Sequence, residues 1–259
     1  MLDTILAEKR KEVASLVVPE KATNIKKHSF VHALKNPRFP LALIAEIKRA
    51  SPSKGIINDK IDPVGVAKAY EKAGADAISV LTDSTFFKGS GDDLIAVKEA
   101  VNIPVLRKDF IIDQKQIIES ANIGADAILL IVRALGVAKT YEFYNVAKEA
   151  GLDCLVEVHD SGELDALLAT FVPDVIGVNN RNLSTFETSF SATAKLAVKM
   201  PEDAIFISES GIHTHDDIER VKEHGATGVL VGEALMKAES PEMGIKRLFS
   251  GEQVETNAT

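Results

Sequence analysis

The sequence predicts a closed α/β barrel, a (β/α)8 barrel of the TIM type, with an extra helical arm before its first strand. Three observations carry that prediction. The first is an internal repeat: AGADAISVL begins at Ala73, IGADAILLI at Ile123 and HGATGVLVG at His224, with a looser relative, FVPDVIGVN, at Phe171. Each reads as a helix stop followed by a short strand, because a glycine accepts the left-handed conformation that ends many helices. The apolar run behind it shows no polar alternation, as expected of a strand buried on both faces. The second is alternation: eight such strands are separated by helical stretches, which implies parallel strands joined by right-handed crossovers. The third is length, since 259 residues suit one closed barrel domain. An open doubly wound sheet is the competing architecture, and the count of eight units favours closure.

In chain order, residues 1–40 form the arm. Leu2, Ile5, Leu6, Val13 and Leu16 fall on one helical face, and a second short helix follows Ser29. The arm could plug the barrel bottom, meet a partner or lean over the strand ends; periodicity does not choose. The strands are expected near Ala42–Lys48, Ala77–Thr82, Val105–Lys108, Ala127–Val132, Cys154–Val158, Val175–Asn179, Ile205–Glu209 and Val229–Val231. Between them lie helix starts with a mechanism. Asp62 precedes Pro63, Ser90 stands three residues before Asp93, Asp113 opens QKQIIESANIG, Thr214 precedes Asp217 by three, and Ser240 precedes Pro241. Residues 250–259 carry no apolar pattern and read as a fraying tail.

Composition narrows the class. Hydrophobic residues make up 46% and charged residues 26%, which argues against disorder. A net charge of −8 argues against a nucleic-acid partner, though helix N-termini and a few lysines can still hold a phosphate. No stretch approaches the roughly 20 apolar residues that span a bilayer, so no membrane partner is expected. The N-terminal residues lack the apolar core of a signal peptide, and cytoplasmic location is the expectation. Cys154 is the single cysteine and reads as an inert core residue. The six histidines, His28, His32, His159, His213, His215 and His224, form no ligand cluster, and no nucleotide-binding glycine pattern occurs. Neither metal nor cofactor is expected, and the chain is read as a monomer or weak homo-oligomer.

In such barrels the active site lies at the C-terminal ends of the strands. Those ends carry Glu46 and Lys48 (strand one), Lys108 and Asp109 (three), Glu157 (five), Asn179, Asn180 and Arg181 (six), Glu209, Ser210 and Gly211 (seven), and Gly232 and Glu233 (eight). Glu46 and Lys48 share a parity, so both face the barrel mouth. Buried charges cost several kcal/mol each unless paired. A convergence of lysines and glutamates from four strands therefore points to catalysis or binding. SESG after strand seven and GEAL after strand eight bracket the position where barrels often hold phosphate. SPSKG, from Ser51 to Gly55 and including Lys54, reads as a loop that closes over a substrate. Phe86 and Phe87 either contact an aromatic substrate or pack the loop after strand two.

IAEIKRASPSKG, SVLTDSTFFKGS, VLRKDFIID, EVHD, GVNNRNL, ISESGI and VLVGEALM occur in one order at these strand ends, and together they resemble the indole-3-glycerol phosphate synthase family of tryptophan biosynthesis. The resemblance runs from about residue 3 to residue 249 and covers the arm. It implies a reaction without cofactor or metal, in which 1-(2-carboxyphenylamino)-1-deoxyribulose 5-phosphate closes to indole-3-glycerol phosphate with loss of CO2 and water. It implies Lys108 as the general acid, Glu157 as the group that assists dehydration, and Lys48 as partner of the substrate carboxylate or second acid. Glu46, Asn179 and Glu209 would orient them. Ser51, Lys54, Arg181, Ser210, Gly211, Gly232 and Glu233 would surround the substrate and its phosphate, Glu233 through its backbone N–H. Two departures stand out: Gly91 where the family usually has a larger residue, and Glu233 where some members have serine. The alternatives are a phosphoribosylanthranilate isomerase and a non-catalytic sugar-phosphate-binding barrel.

Overall fold

Eight parallel strands close on one another in the computed structural model, which describes residues 1–22, 25–52, 55–58, 60–181 and 188–251. They are β1 (Ala42–Ile47), β2 (Ala77–Leu81), β3 (Val105–Lys108), β4 (Ala127–Ile131), β5 (Asp153–Val158), β6 (Val175–Asn179), β7 (Ile205–Glu209) and β8 (Gly228–Val231). β1 pairs with β2 on one side and β8 on the other, Ala42 lying opposite Gly228 and Ile44 opposite Ala77. That second pairing removes the open-sheet alternative. Strand limits differ from the sequence reading by a residue at some ends: Lys48, Thr82 and Val132 follow their strands, while Asp153 and Gly228 begin theirs.

The unbroken apolar runs follow from two cores. Alternate residues such as Ile44, Leu106, Leu129, Leu155 and Ile207 fill the barrel interior. Their neighbours, among them Leu43, Ile78, Ile128, Val156 and Phe206, pack outward against the helices. Burying a side chain of this size stabilises by about 1.5–3 kcal/mol, so neither face of a strand tolerates a polar residue without a reason.

The helix starts are as the caps require. Side chains of Asp62, Ser90, Asp113, Thr214 and Ser240 accept first-turn backbone N–H groups, and Asp113 and Thr214 complete capping boxes. Gly124 shows why the repeat needs glycine: its φ is 95°, and an added Cβ would stand 2.6 Å from Ile25 Cδ1. The last helix extends through Ser250, which the sequence reading assigned to the tail; residues 252–259 lie outside the described residues.

The arm divides its work between both ends of the barrel. Helix α2 (Phe30–Lys35), capped by Ser29, plugs the bottom with the fully buried Phe30. Aspartates at the strand entrances hold this part of the arm. Asp153 accepts N–H bonds from Phe30 and Val31, Asp76 from Arg38 and Leu43, and Asp126 from His28 and Val105. Helix α1 (Leu2–Ser15) lies instead at the mouth, where Leu2 and Ile5 face the strand ends. No described helix is long and apolar enough to cross a membrane.

Candidate active site

Inward parity carries straight from the core to the mouth. Ile44 is followed inward by Glu46 and Lys48, Leu106 by Lys108, Leu155 by Glu157, Gly177 by Asn179, Ile207 by Glu209, and Leu230 by Gly232. On β1, β3, β5 and β7 the interior thus changes from apolar to ionisable within one residue pair, while β6 ends on the Asn179 amide and β8 runs out to Gly232. One cavity is lined by Glu46, Lys48, Ser51, Lys108, Glu157, Asn179, Arg181, Glu209, Ser210, Gly211, Gly232 and Glu233. Lys54 lies outside the described residues.

Lys108 sits between two carboxyl groups, its Nζ 3.7 Å from Glu157 Oε2 and 3.7 Å from Glu209 Oε2. Lys48 Nζ is 2.7 Å from Glu46 Oε1. All three glutamates are buried. Burial alone would lower the Lys108 pKa, but Glu209, Glu157 and Glu46 outweigh it and push it above the ordinary lysine value. Glu209 is pushed up to about 8, first by burial and then by Glu157, against the pull of Lys108. Glu46 moves the other way: burial opposes its ionisation, but Lys48 and Lys108 prevail and hold it below the usual carboxylate range. Near neutral pH the mouth therefore presents an ammonium on Lys108, which Glu157 and Glu46 also favour, beside a carboxyl, Glu209, on which burial and Glu157 favour the proton.

Two glycines make room for these carboxyls. A Cβ on Gly177 would stand 2.1 Å from Glu209 Oε1, and one on Gly232 would stand 2.6 Å from Glu46 Oε1. Gly177 escaped the sequence reading; its signal was a glycine inside a strand, which often marks a close approach.

Part of the cavity lining is apolar. Leu2 and Ile5 of α1, with Phe87, Phe110, Leu129 and Ile131, form it. The Phe87 and Phe110 rings lie 6.2 Å apart. Of the predicted pair, Phe87 reaches the cavity and Phe86 does not. Helix α1 is fastened here by Lys9, buried at 2% exposure, whose Nζ is 3.0 Å from Asp83 Oδ2 and 2.9 Å from Asp109 Oδ1. Asp109 also accepts from Thr82 Oγ1 at 2.6 Å and meets Arg107 at 3.2 Å. Burial raises its pKa less than Arg107 and Lys9 lower it, so it stays ionised. Asp109 thus serves the arm, while Lys108 serves the mouth.

Another part of the lining is made of turns. Ser210 and Gly211 have φ of 68° and 84°, and Gly232 precedes a short helix, Glu233–Met236. A non-glycine residue held at positive φ is a cost that clusters at functional sites. Asn180 points away from the mouth and fixes this turn: its side-chain amide donates to Ser208 Oγ, Glu209 O and Ser210 O. Asn179 Oδ1 accepts the Arg181 N–H at 3.0 Å. The Glu233 carboxylate pairs with Lys237 at 2.7 Å. Ser51 belongs to a short hairpin, Ala50–Ser51 with Gly55–Ile56, and the neighbouring Arg49 grips Asp93. Gly91 has open space, with only Ile123 Cδ1 near at 3.9 Å from an added Cβ.

A closed (β/α)8 barrel with lysines and glutamates converging on a strand-end cavity defines a barrel enzyme built for proton transfer on a small molecule. Comparison with known proteins specifies the kind. The sequence model of the indole-3-glycerol phosphate synthase family matches residues 2–248, and the chain belongs to that family. A protein of that name from Halalkalibacterium halodurans is 57% identical over 258 residues, 100% of both chains. Those from Priestia megaterium and Geobacillus kaustophilus are 53% and 52% identical, over 96% and 97% of this chain and 97% and 98% of their own.

Proposed function

We propose that the chain closes the pyrrole ring of indole-3-glycerol phosphate, acting as a carboxy-lyase of tryptophan biosynthesis on 1-(2-carboxyphenylamino)-1-deoxyribulose 5-phosphate. Family membership carries the reaction. The observation that supports the residue roles is the placement of Lys108 between Glu157 and Glu209, in a cavity that Phe87 and Phe110 also line.

The aryl ring lies against Phe87, Phe110 and the α1 leucine and isoleucine. The phosphate lies at the turns after β7 and β8, among Ser210, Gly211, Gly232 and Ser51, with Arg181 and Lys54 adding charge. Lys108 protonates the ketone oxygen as the ring carbon attacks. The Glu157 and Glu46 carboxylates keep Lys108 charged, so a proton is available, and the developing oxygen charge inside a cavity shielded from water drives the transfer. CO2 then leaves the ring carbon. Glu157 assists departure of the hydroxyl as water, and Lys48 steadies the substrate carboxylate before its loss. Glu46 and Glu209 hold the two lysines, and Asn179 orients the substrate.

Indole fluorescence reads the product directly, because the chain contains no tryptophan. Purified protein is expected to generate that signal from the carboxyphenylamino substrate; a folded protein that binds it without turnover would leave only a sugar-phosphate-binding barrel. Lys108→Ala is expected to bind substrate while losing ~10²–10⁴-fold in kcat, and retention of more than about a tenth would remove Lys108 as the acid.

A further inference from the structure

We propose that His159 is a positioning residue that holds the Glu157 carboxyl in its working orientation toward Lys108; the proposal rests on the reading of Lys108 and Glu157 above. His159 follows β5 two residues after Glu157, so its side chain turns to the same side of the chain. The imidazole is buried, with 3% of its side chain exposed, between two carboxyls. Its Nε2 stands 3.3 Å from Glu157 Oε1, and its Nδ1 stands 3.5 Å from Glu163 Oε2. Glu157 therefore has one oxygen facing His159 and the other, Oε2, facing Lys108. The imidazole touches the very oxygen that the lysine leaves free.

The second carboxyl is itself anchored. Glu163 accepts the His159 backbone N–H at 2.8 Å and the Arg133 Nε–H at 2.5 Å, and Arg133 also meets Asp160 at 2.5 Å. Burial disfavours ionised Glu163, but bonds from His159 and Arg133 outweigh it and hold the carboxyl below its ordinary range. A fixed anion thus backs the imidazole, and the imidazole backs Glu157. A carboxyl, an imidazole and a second carboxyl in line are a common way to fix the orientation of a working group.

The fit is deliberately loose. Neither ring nitrogen has an aligned hydrogen-bond partner among the described residues. A histidine kept for packing would satisfy its buried nitrogens, and groups left short of a partner call for a reason. Apo active sites often hold long, poorly aligned contacts that tighten only around substrate. A small shift of the Glu157 carboxyl toward a bound substrate would bring the imidazole into line behind it.

The test compares His159→Phe, which keeps the ring and loses both nitrogens, with His159→Gln, which keeps a donor. Each is made in the wild-type chain and in Glu157→Gln. The His159 backbone bond to Glu163 survives both changes, so the fold is expected to hold, and Tm is recorded for each. His159→Phe is expected to lower kcat about tenfold or more with KM little changed, since a full ~1 Å misplacement of a working group can cost ~100-fold and loss of the imidazole frees Glu157 by only part of that. His159→Gln is expected to recover most of the loss. In the Glu157→Gln background His159→Phe should add nothing, because both changes act through one group. A loss of Tm with unchanged kcat, or additive losses in the double variant, overturns the proposal. An unimpaired Glu157→Gln overturns the reading of Glu157 beneath it, and is told apart by being seen without any change at His159.

Discussion

Gly177→Ala is the change that isolates the geometry of the mouth from its chemistry, because it alters no ionisable group. The new Cβ would stand 2.1 Å from Glu209 Oε1, 3.2 Å from Glu209 Cδ and 3.1 Å from Leu155 Cδ1. Ordinary van der Waals contact is near 3.5 Å, so the carboxyl must retreat by roughly 1 Å or more. Retreat alters the 3.7 Å contact between Glu209 and Lys108, on which the lysine's placement depends. The backbone is no obstacle, since Gly177 lies in a regular strand pairing with β5 and β7. Overpacking costs about 1–3 kcal/mol, and replacing a mid-strand glycine returns roughly 0.5–1 kcal/mol, so the variant should fold with a modestly lower Tm. Activity should suffer more: a ~1 Å displacement at the reacting groups predicts about a 100-fold lower kcat. Steady-state turnover followed by indole fluorescence, with Tm measured in parallel, reads both. A kcat within about threefold of wild type would show that the contact between Glu209 and Lys108 does not position the acid, and the argument from parity and crowding would fail.

Other changes probe the remaining walls. Lys9→Met strips the counter-ion from buried Asp83, leaves Asp109 with Arg107 alone, and should cost about 3–5 kcal/mol in chemical denaturation, with KM rising as α1 loosens; unchanged stability would show that the arm is held by its apolar face alone. Phe87→Ala should raise KM about tenfold through loss of an aromatic contact, whereas Phe86→Ala, which lies off the cavity, should leave KM as it is. Glu209 has a folded pKa of about 8, raised from 4.5, so its protonated form supplies stability that is fully present below pH 4.5 and is lost as pH rises through 8. Glu209→Gln should therefore flatten the fall in Tm across that window, and a wild-type minus variant difference that stays constant with pH would refute the raised value.

What the sequence disclosed, and what it hid, divides by range. Parity along β1 placed Glu46 and Lys48 in the mouth because a strand repeats every two residues. Local caps such as Asp113 announced helix starts because the cap oxygen and the backbone N–H it accepts are only two or three residues apart. Residues whose partners are distant in sequence stayed hidden. Lys9 lies one turn from Ile5 and one turn from Val13, on the buried face of α1, but only the fold brings Asp83 and Asp109 to it. A lysine on that face reads equally well as a solvated charge. The arm could not be assigned to one end because it serves both, Leu2 at the mouth and Phe30 at the base. His159 is the exception: its partners Glu157 and Glu163 are two and four residues away, but the turn from β5 into the helix that carries Glu163 follows no fixed periodicity, so one carboxyl on either side of the ring was not legible.

The electrostatics of the mouth explain how an acidic protein, at a net charge of −8, can receive an anionic substrate. Lys48 and Lys108 face three carboxyls, Glu46, Glu157 and Glu209. If all three were ionised they would outnumber the ammonium groups, and Arg181 on the cavity wall would only balance them, leaving no positive excess for a phosphorylated, carboxylated ligand. A proton held on Glu209 leaves the cations in excess. It also explains why burial is tolerated: a neutral carboxyl beside an ammonium avoids most of the desolvation cost that a third anion would carry. On this argument, raising the pH toward 8 works against the site twice, by adding a buried charge and by making the mouth more negative. Loss of substrate affinity should therefore accompany loss of stability in the same pH window, and Glu209→Gln should blunt both together.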